Sequence, residues 1–342
     1  MSQHLESRAA FEASLFGFLY RQWIMHRKPI PKETRLSGQT AIVTGSNSGL
    51  GFEAARQLLQ LGVANIIMAV RSQTRGDAAA SKLRREFPGS TVSVWLLDME
   101  SYDSITAFAK RCETLPRLDI AILNAGLRSD SFKLVESTHH EQSFQVNYLS
   151  TALLTILLLP IMKSKKSSPP VTQPPRLSLV SSDTSYWGTL RTGPIVAQCD
   201  DPAKFDPMGA YSRSKLLQVL FVSKLAERVN SDNVIVNASN PGLCKGTEFG
   251  SDATGSPFVR LAFRLFQSLN GRTVEAGASA LVDAVITGKE GHGSYVSDWT
   301  IQPYPKLLYT KEGRDVGDRV WEETMEELNF VGASKIVQKL KQ

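Results

Sequence analysis

Only three cysteines, Cys112, Cys199 and Cys244, occur in 342 residues, and none lies in a CxxC pair. So few and so scattered, they provide neither a disulfide framework nor a four-ligand metal site, and the sequence points to a reducing compartment with no structural metal. Concentrated basic charge is missing as well. The formal net charge is +6, but lysine and arginine are spread along the chain apart from short clusters at Arg21–Lys32, Arg84–Arg85 and Lys163–Lys166. This pattern fits a solvated, mildly basic surface and argues against nucleic acid as a partner. The N-terminus lacks the basic-then-apolar leader and small-residue cleavage site of a secretory signal, and no run reaches the ~18 apolar residues of a membrane span. The nearest approach, Thr151 to Met162 (TALLTILLLPIM), contains Pro160 and has the length of a buried helix. A cytoplasmic location is expected, with peripheral contact to a membrane left open.

The composition that is present, 42% hydrophobic over 342 residues, suits one large α/β domain. Residues 1–37 stand apart from it. Phe11, Leu15, Phe16, Phe18, Leu19, Trp23, Ile24 and Met25 sit among basic residues ahead of Pro29 and Pro31, which predicts an amphipathic helix and a linker. Such a helix either docks on the main domain or, with aromatic residues and basic flanks, meets a lipid interface or a partner. From Gly38 the text alternates short β-branched runs with longer helical stretches, the signature of a parallel sheet covered on both faces. Strands are predicted at Thr40–Thr44, Asn65–Val70, Val92–Leu97, Ile120–Leu123, Arg176–Ser181, Val234–Ala238 and Ser294–Val296. The fold class is therefore α/β, a doubly wound Rossmann-type sheet of about seven parallel strands in a single domain spanning 38–342. Lys163 to Pro175 reads as a polar, Pro-rich surface loop, and Asp318 to Asn329 as a C-terminal helix.

Between the first strand and the first helix lies Thr44-Gly45-Ser46-Asn47-Ser48-Gly49-Leu50-Gly51. A strand that turns sharply into a helix aims unpaired N–H groups at whatever sits over the helix N-terminus, and glycine lets a pyrophosphate approach the backbone. A dinucleotide site follows. The end of the second strand reads Ala69-Val70-Arg71-Ser72, without the carboxylate that would bind a ribose 2′-hydroxyl. A guanidinium at that place pairs with a 2′-phosphate, so NADP(H) is the expected cofactor. Further on, Tyr211-Ser212-Arg213-Ser214-Lys215 presents YxxxK where a helix begins, with the phenol and the ammonium on one helical face. A cation fixed beside a phenol stabilises the phenolate and makes it a usable acid–base group.

The TGxxxGxG spacing resembles that of the short-chain dehydrogenase/reductase family, and the resemblance runs from Thr40 to beyond Trp299. It implies that Asn124-Ala125-Gly126 supports the sheet and lines the adenosine pocket, and that Asp98 meets the adenine amino group. It implies further that Ser182 orients the substrate carbonyl against Tyr211, with Ser181 as the fallback. Lys215 would also bond the nicotinamide ribose, and Asn147 would hold a water in a proton relay. Pro241-Gly242 matches the family's turn beside the nicotinamide. The threonine that follows in many members falls here on Gly246, leaving Thr247 one residue late. The 29-residue separation of Ser182 and Tyr211 resembles the branch with retinol-dehydrogenase-like enzymes, and implies that Tyr186-Trp187-Gly188 and Pro202 to Gly209 line the substrate mouth. The chain also resembles fungal reductases of secondary metabolism.

The expected activity is hydride transfer between NADP(H) and a carbonyl or secondary alcohol of a hydrophobic small molecule. An apolar lid is expected over 243–270, carrying Phe249, Phe258, Leu261, Phe263, Leu265 and Phe266. A non-catalytic NADP(H) sensor or scaffold, and a nicotinamide-dependent epimerase or dehydratase, are the alternatives. The family's usual dimer surface would fall on Val146 to Leu159 and the helix after Tyr211. A homodimer and a monomer are both open.

Overall fold

In the computed structural model, residues 2–165, 173–245 and 257–341 are described. Two short helices, α1 (Glu6–Glu12) and α2 (Leu15–Trp23), precede β1 (Thr40–Thr44), whose five residues are all buried. There follow α3 (Gly49–Gln60), β2 (Asn65–Val70), α4 (Gln73–Glu86), β3 (Thr91–Leu96), α5 (Tyr102–Cys112) and β4 (Ile120–Leu123). One turn, α6 (Gln142–Phe144), passes through a π-helical segment, Gln145–Leu149, into α7 (Ser150–Ser164). Then come β5 (Arg176–Val180), the short α8 (Ile195–Cys199), α9 (Pro207–Ala226), β6 (Ile235–Asn240), α10 (Pro257–Asn270) and α11 (Val274–Ile286). The chain finishes with β7 (Tyr295–Ser297), β8 (Thr300–Gln302), α12 (Lys311–Glu327) and α13 (Ala333–Leu340).

The sheet order is β3-β2-β1-β4-β5-β6-β7-β8, with every pair parallel except β7–β8. Side chains alternate across it. Ile42 enters the core built with α5, α7 and α9, while Ala41 and Val43 enter the other core with α3, α4 and α11. The order in which strands are added reverses between β1 and β4, so a crevice opens at their C-terminal ends, where ligands bind in sheets of this kind.

The predicted parallel strands are present, with ends displaced by a residue or two, and β8 adds an antiparallel edge. The β7–β8 turn places Asp298 at φ 55° and Trp299 at φ 56°, without the Gly or Asn that marks such a turn in a sequence. Packing holds it in that conformation: Ser297 Oγ donates to Asp298 Oδ2 at 2.5 Å, Arg272 pairs with Asp298, and Trp299 Nε1 donates to Ser279 Oγ at 3.0 Å. The loop predicted from Lys163 begins later, because α7 continues through Ser164; residues 166–172 lie outside the described residues. The C-terminal helix begins earlier than predicted, at Lys311, where Thr310 Oγ1 accepts from Gly313 N at 2.9 Å.

Gln142–Ser164 is long and apolar enough to cross a membrane by length and composition, but 89% of the qualifying window is buried inside the protein. Its cover comes partly from the C-terminus. Tyr148 OH meets Thr324 Oγ1 at 2.5 Å, Trp321 stacks on Phe221 at 5.8 Å, and Lys163 Nζ donates to Lys339 O at 3.1 Å. Thus α12 lies over α9 and α13 over α7, and the chain's own C-terminal helices occupy the faces where the resemblance put a dimer contact.

Candidate active site

One end of the crevice is shaped by glycine. Gly45 has φ 65° and Gly49 φ 55°, a region L-residues rarely adopt. A Cβ on Gly51 would lie 2.5 Å from Gly45 O and 2.6 Å from Asn124 Nδ2, so the loop and the helix can approach only without a side chain there. Asn124 Nδ2 donates to Thr44 O at 3.0 Å and Ala125 N to Thr44 Oγ1 at 2.8 Å, which ties the end of β4 to the loop. Ser46 turns inward, donating to Val43 O at 2.9 Å, and lines neither cavity described below.

Two adjoining cavities continue from this loop. The first, about 350 Å³, takes in Gly45, Asn47, Arg71, Asp98, Asn124, Ala125 and Gly126. Arg71 is largely exposed and lies 3.5 Å from Glu100. Arg75, which sequence reasoning passed over, lines the same space one helical turn into α4. The second cavity, about 410 Å³, begins at Ser48, Gly49, Leu50 and Gly51 and reaches Ser182, Tyr211, Lys215, Pro241 and Gly242. Thr247, like Phe249, lies outside the described residues.

At the floor of the second cavity, Tyr211 and Lys215 project from α9, which opens with Pro207 after Asp206, whose Oδ1 accepts from Gly209 N at 2.6 Å. Tyr211 hydrogen-bonds the Ser182 side chain, and Ser182 Oγ also accepts from Thr184 N at 3.2 Å. Ser181 is spent elsewhere, donating to Lys215 O at 2.9 Å, so Ser182 is the serine that faces the phenol. Burial pushes the Tyr211 phenol up to about 12, against the pull of its Ser182 hydrogen bond and of Arg128. Burial likewise brings the Lys215 ammonium down to about 7. Lys215 Nζ donates to Val180 O at 2.7 Å and sits 5.6 Å from the Tyr211 ring centroid. In this arrangement the cation that pulls on the phenol is Arg128, a residue that no sequence motif marks.

Asn147 falls inside the π-helical segment. Its Oδ1 accepts from Leu127 N at 2.8 Å, its Nδ2 donates to Leu127 O at 2.8 Å and to Ser214 Oγ at 2.9 Å, and its carbonyl accepts from Gln218 Nε2 at 2.6 Å. It therefore clamps the segment after β4 to α9 from behind the cavity.

The roof comes from both ends of the middle sequence. Leu15 and Phe18 of α2, Trp187, Met208 and Phe266 of α10 line the second cavity, and Phe18 stacks on Phe266 at 6.4 Å and meets Trp187 at a tilt at 5.9 Å. Of the predicted apolar lid, Phe266 faces the cavity, whereas Leu261 and Leu265 are more than half exposed. The side chains of Phe258 and Phe263 lie outside the described set.

Beneath α2 is a buried ion network. Arg21 bonds Glu12, meets Asp183 Oδ1 at 2.8 Å and lies 3.5 Å from Asp298, which also pairs with Arg272. Burial opposes the Arg21 charge, and Asp183, Tyr186 and Asp298 more than offset it, holding the guanidinium fully ionised. Gln22 Nε2 donates to Leu243 O at 3.0 Å and to Asn270 O at 2.9 Å, joining α2 to the turn after β6 and to the end of α10. The helix is docked, and its anchor, Asp183, follows Ser182 directly in sequence.

A crevice where the strand order of a parallel sheet reverses, with a glycine loop at one end and a paired tyrosine and serine at the other, is the arrangement of a Rossmann-type fold with a site for acid–base chemistry. The comparisons with known proteins make this specific. Residues 39–170 match the family model for short chain dehydrogenase. The chain is 53% identical over 344 residues to a short chain dehydrogenase, virL, of Hypocrea virens, covering 100% of this chain and 99% of that one. Among solved structures, a putative short chain dehydrogenase from Escherichia coli CFT073 complexed with NADPH is 24% identical, with TM-score 0.54, covering 78% of this chain and 99% of that one. One from Burkholderia phymatum in complex with NAD is 18% identical, with TM-score 0.58 over 77% and 90%. The chain belongs to the short-chain dehydrogenase/reductase family and is an oxidoreductase of Rossmann-type fold.

Proposed function

We propose that the protein is an NADP(H)-dependent oxidoreductase that interconverts a carbonyl and a secondary alcohol on a hydrophobic small molecule, within secondary metabolism. The observation that carries this reading is the Tyr211–Ser182 hydrogen bond at the floor of an apolar-roofed cavity that begins at the glycine loop. The turn that Gly45 and Gly49 make possible, open above Gly49 and packed tight beneath Gly51, would take a pyrophosphate. Asn47, Ser48, Gly49 and Leu50 would complete that site, and Asp98 and Asn124–Gly126 would line the adenosine side. Arg71 and Arg75 would meet a 2′-phosphate, since β2 ends without a carboxylate. Both an NADPH and an NAD complex exist among the structural neighbours, so the preference rests on these two arginines. When bound, NADPH supplies the hydride.

The chain's own residues would do the rest. Ser182 Oγ donates to the substrate oxygen and fixes it against Tyr211, which delivers its phenolic proton as that oxygen takes up charge. Lys215 would turn from Val180 O to the nicotinamide ribose hydroxyls and there bring its cation to the phenol, pulling the phenol down from its ligand-free value. Pro241-Gly242 would flank the carboxamide, with Thr247 as a further contact. Asn147 would act as a positioning residue, with the second lone pair of its carbonyl left for a relay water.

The test is NADPH and NADH oxidation against a panel of apolar ketones, with cofactor binding followed by fluorescence. Tyr211→Phe is expected to lower turnover at least a hundredfold, the scale of a lost general acid, while NADPH still binds. Retained turnover would overturn the mechanism, and wild-type binding without turnover on any ketone would give the site to a sensor. Arg71→Asp is expected to shift preference toward NADH by about tenfold or more; an unchanged ratio would remove Arg71 from cofactor selection.

A further inference from the structure

Helix α2 is inverted. Its buried face is Gly17, Phe18, Arg21 and Gln22, whereas Leu15 (62%), Phe16 (79%), Tyr20 (46%), Trp23 (56%) and Ile24 (56%) are exposed. A surface helix normally hides its apolar stripe and shows its polar one. The buried arginine is accounted for by Glu12, Asp183 and Asp298, whereas among the described residues the apolar outer face stays exposed, with Phe11 edge-on to Tyr20 at 6.0 Å. Beside it, α10 exposes Leu261, Leu265 and Leu269 at a four-residue spacing, Leu269 to 81%. The two helices are joined: Phe18 stacks on Phe266, and Trp23 Nε1 donates to Asn270 Oδ1 at 3.0 Å, which holds the indole outward with its one donor satisfied. Trp187 is held likewise, donating to Ala13 O at 2.8 Å. These apolar side chains surround the mouth of the second cavity, since Leu15, Trp187 and Phe266 belong to both.

Charge indicates what covers this face. No acidic residue occurs from Ala13 to Lys32 or from Pro257 to Arg272. Directly after α2, Arg27, Lys28, Lys32 and Arg35 are exposed against one anion, Glu33. Outward aromatic and aliphatic residues edged by cations match the boundary between acyl chains and anionic headgroups. A second copy would bring the same cations face to face, which opposes self-pairing.

We infer that the outer face of α2 and α10 is a docking surface for an anionic lipid bilayer, with the cavity mouth opening onto the lipid. This surface requires neither the cofactor nor the reaction. If the substrate is the apolar molecule of the preceding section, it enters from the bilayer without crossing water.

The test is co-sedimentation of the full chain with vesicles of phosphatidylcholine, alone or mixed with phosphatidylserine, beside light scattering of the protein without vesicles. Binding is expected with phosphatidylserine and is expected to weaken as salt is raised. The double variant F16S/W23S, at positions that line neither cavity, is expected to keep the circular dichroism and NADPH binding of the wild type. Its vesicle affinity is expected to fall by about tenfold or more, the scale for two exposed aromatic side chains. No binding to either vesicle would overturn the inference. So would a dimer that F16S/W23S dissolves, which would assign the face to a second copy, and so would vesicle binding unchanged in the double variant.

Discussion

The two ends of the chain pack on the same domain with opposite polarity. At the C-terminus, α12 buries Val316, Val320 and Met325 and shows Lys311, Glu312, Asp315, Asp318, Arg319, Glu322 and Glu326 to water. At the N-terminus, α2 buries Arg21 and Gln22 and shows aromatic residues. The first arrangement gains stability from apolar burial and seals the faces of α7 and α9. The second gives up that gain and takes its anchorage from charge, directly above the loop that carries Ser182 and Asp183. One end insulates the scaffold and the other builds the working surface.

Removing an anchor from each end sharpens the contrast. The larger effect is expected from Arg21→Met, which takes the cation from buried Asp183 and leaves Glu12 to Arg8 and Asp298 to Arg272 alone. Breaking such a pair from one side costs ~3–5 kcal/mol, readable by denaturant unfolding. Because Arg21 touches no reacting atom, its kinetic signature is a fall in kcat that exceeds any change in the KM for NADPH. A loss under ~1 kcal/mol with unchanged kcat would show that α2 is an ornament on the domain.

The smaller effect belongs to the C-terminal side and depends on pH. His140 Nδ1 lies 2.7 Å from Asp200 and its Nε2 3.2 Å from Glu327 of α12. Burial works against the imidazolium, but the hydrogen bonds to both carboxylates more than offset it and raise His140 to about 9 from an ordinary 6.5. Since the folded value lies above the unfolded one, the contribution is complete below about pH 6.5 and is lost as pH rises through about 9. Its size is ~3 kcal/mol at most. Unfolding free energies measured from pH 6 to 10 are expected to decline across that window in the wild type and to lose this slope in His140→Ala. An unchanged slope in the variant would remove the ion pair from the account of how α12 is held.

What the sequence made legible was local. The Gly45–Gly51 loop, Arg71 and the Tyr211–Lys215 spacing could be read because each lies within a few residues of a strand end or on one helical face. The sheet could be read because each strand is a short β-branched run between helices. The inversion of α2 could not, because periodicity gives a helix two faces without saying which is inward, and Asp183, which decides it, stands 162 positions from Arg21. Arg128 carries no motif, and β8 was hidden by a turn at Asp298-Trp299 lacking the usual residues. The first turns of α12 were hidden by their polar text.

One guanidinium, that of Arg21, joins the roof of the cavity to the residue after Ser182. Roof and Ser182 are therefore mechanically linked. A molecule too bulky to fit under Phe18 must lift α2, and lifting α2 pulls on Asp183 and slackens the loop that aims Ser182 at Tyr211. Breadth of substrate and quality of alignment become a single mechanical variable. Variants evolved to accept larger molecules through this roof are then expected to lose speed in proportion, unless the link between Arg21 and Asp183 is rebuilt with a longer reach.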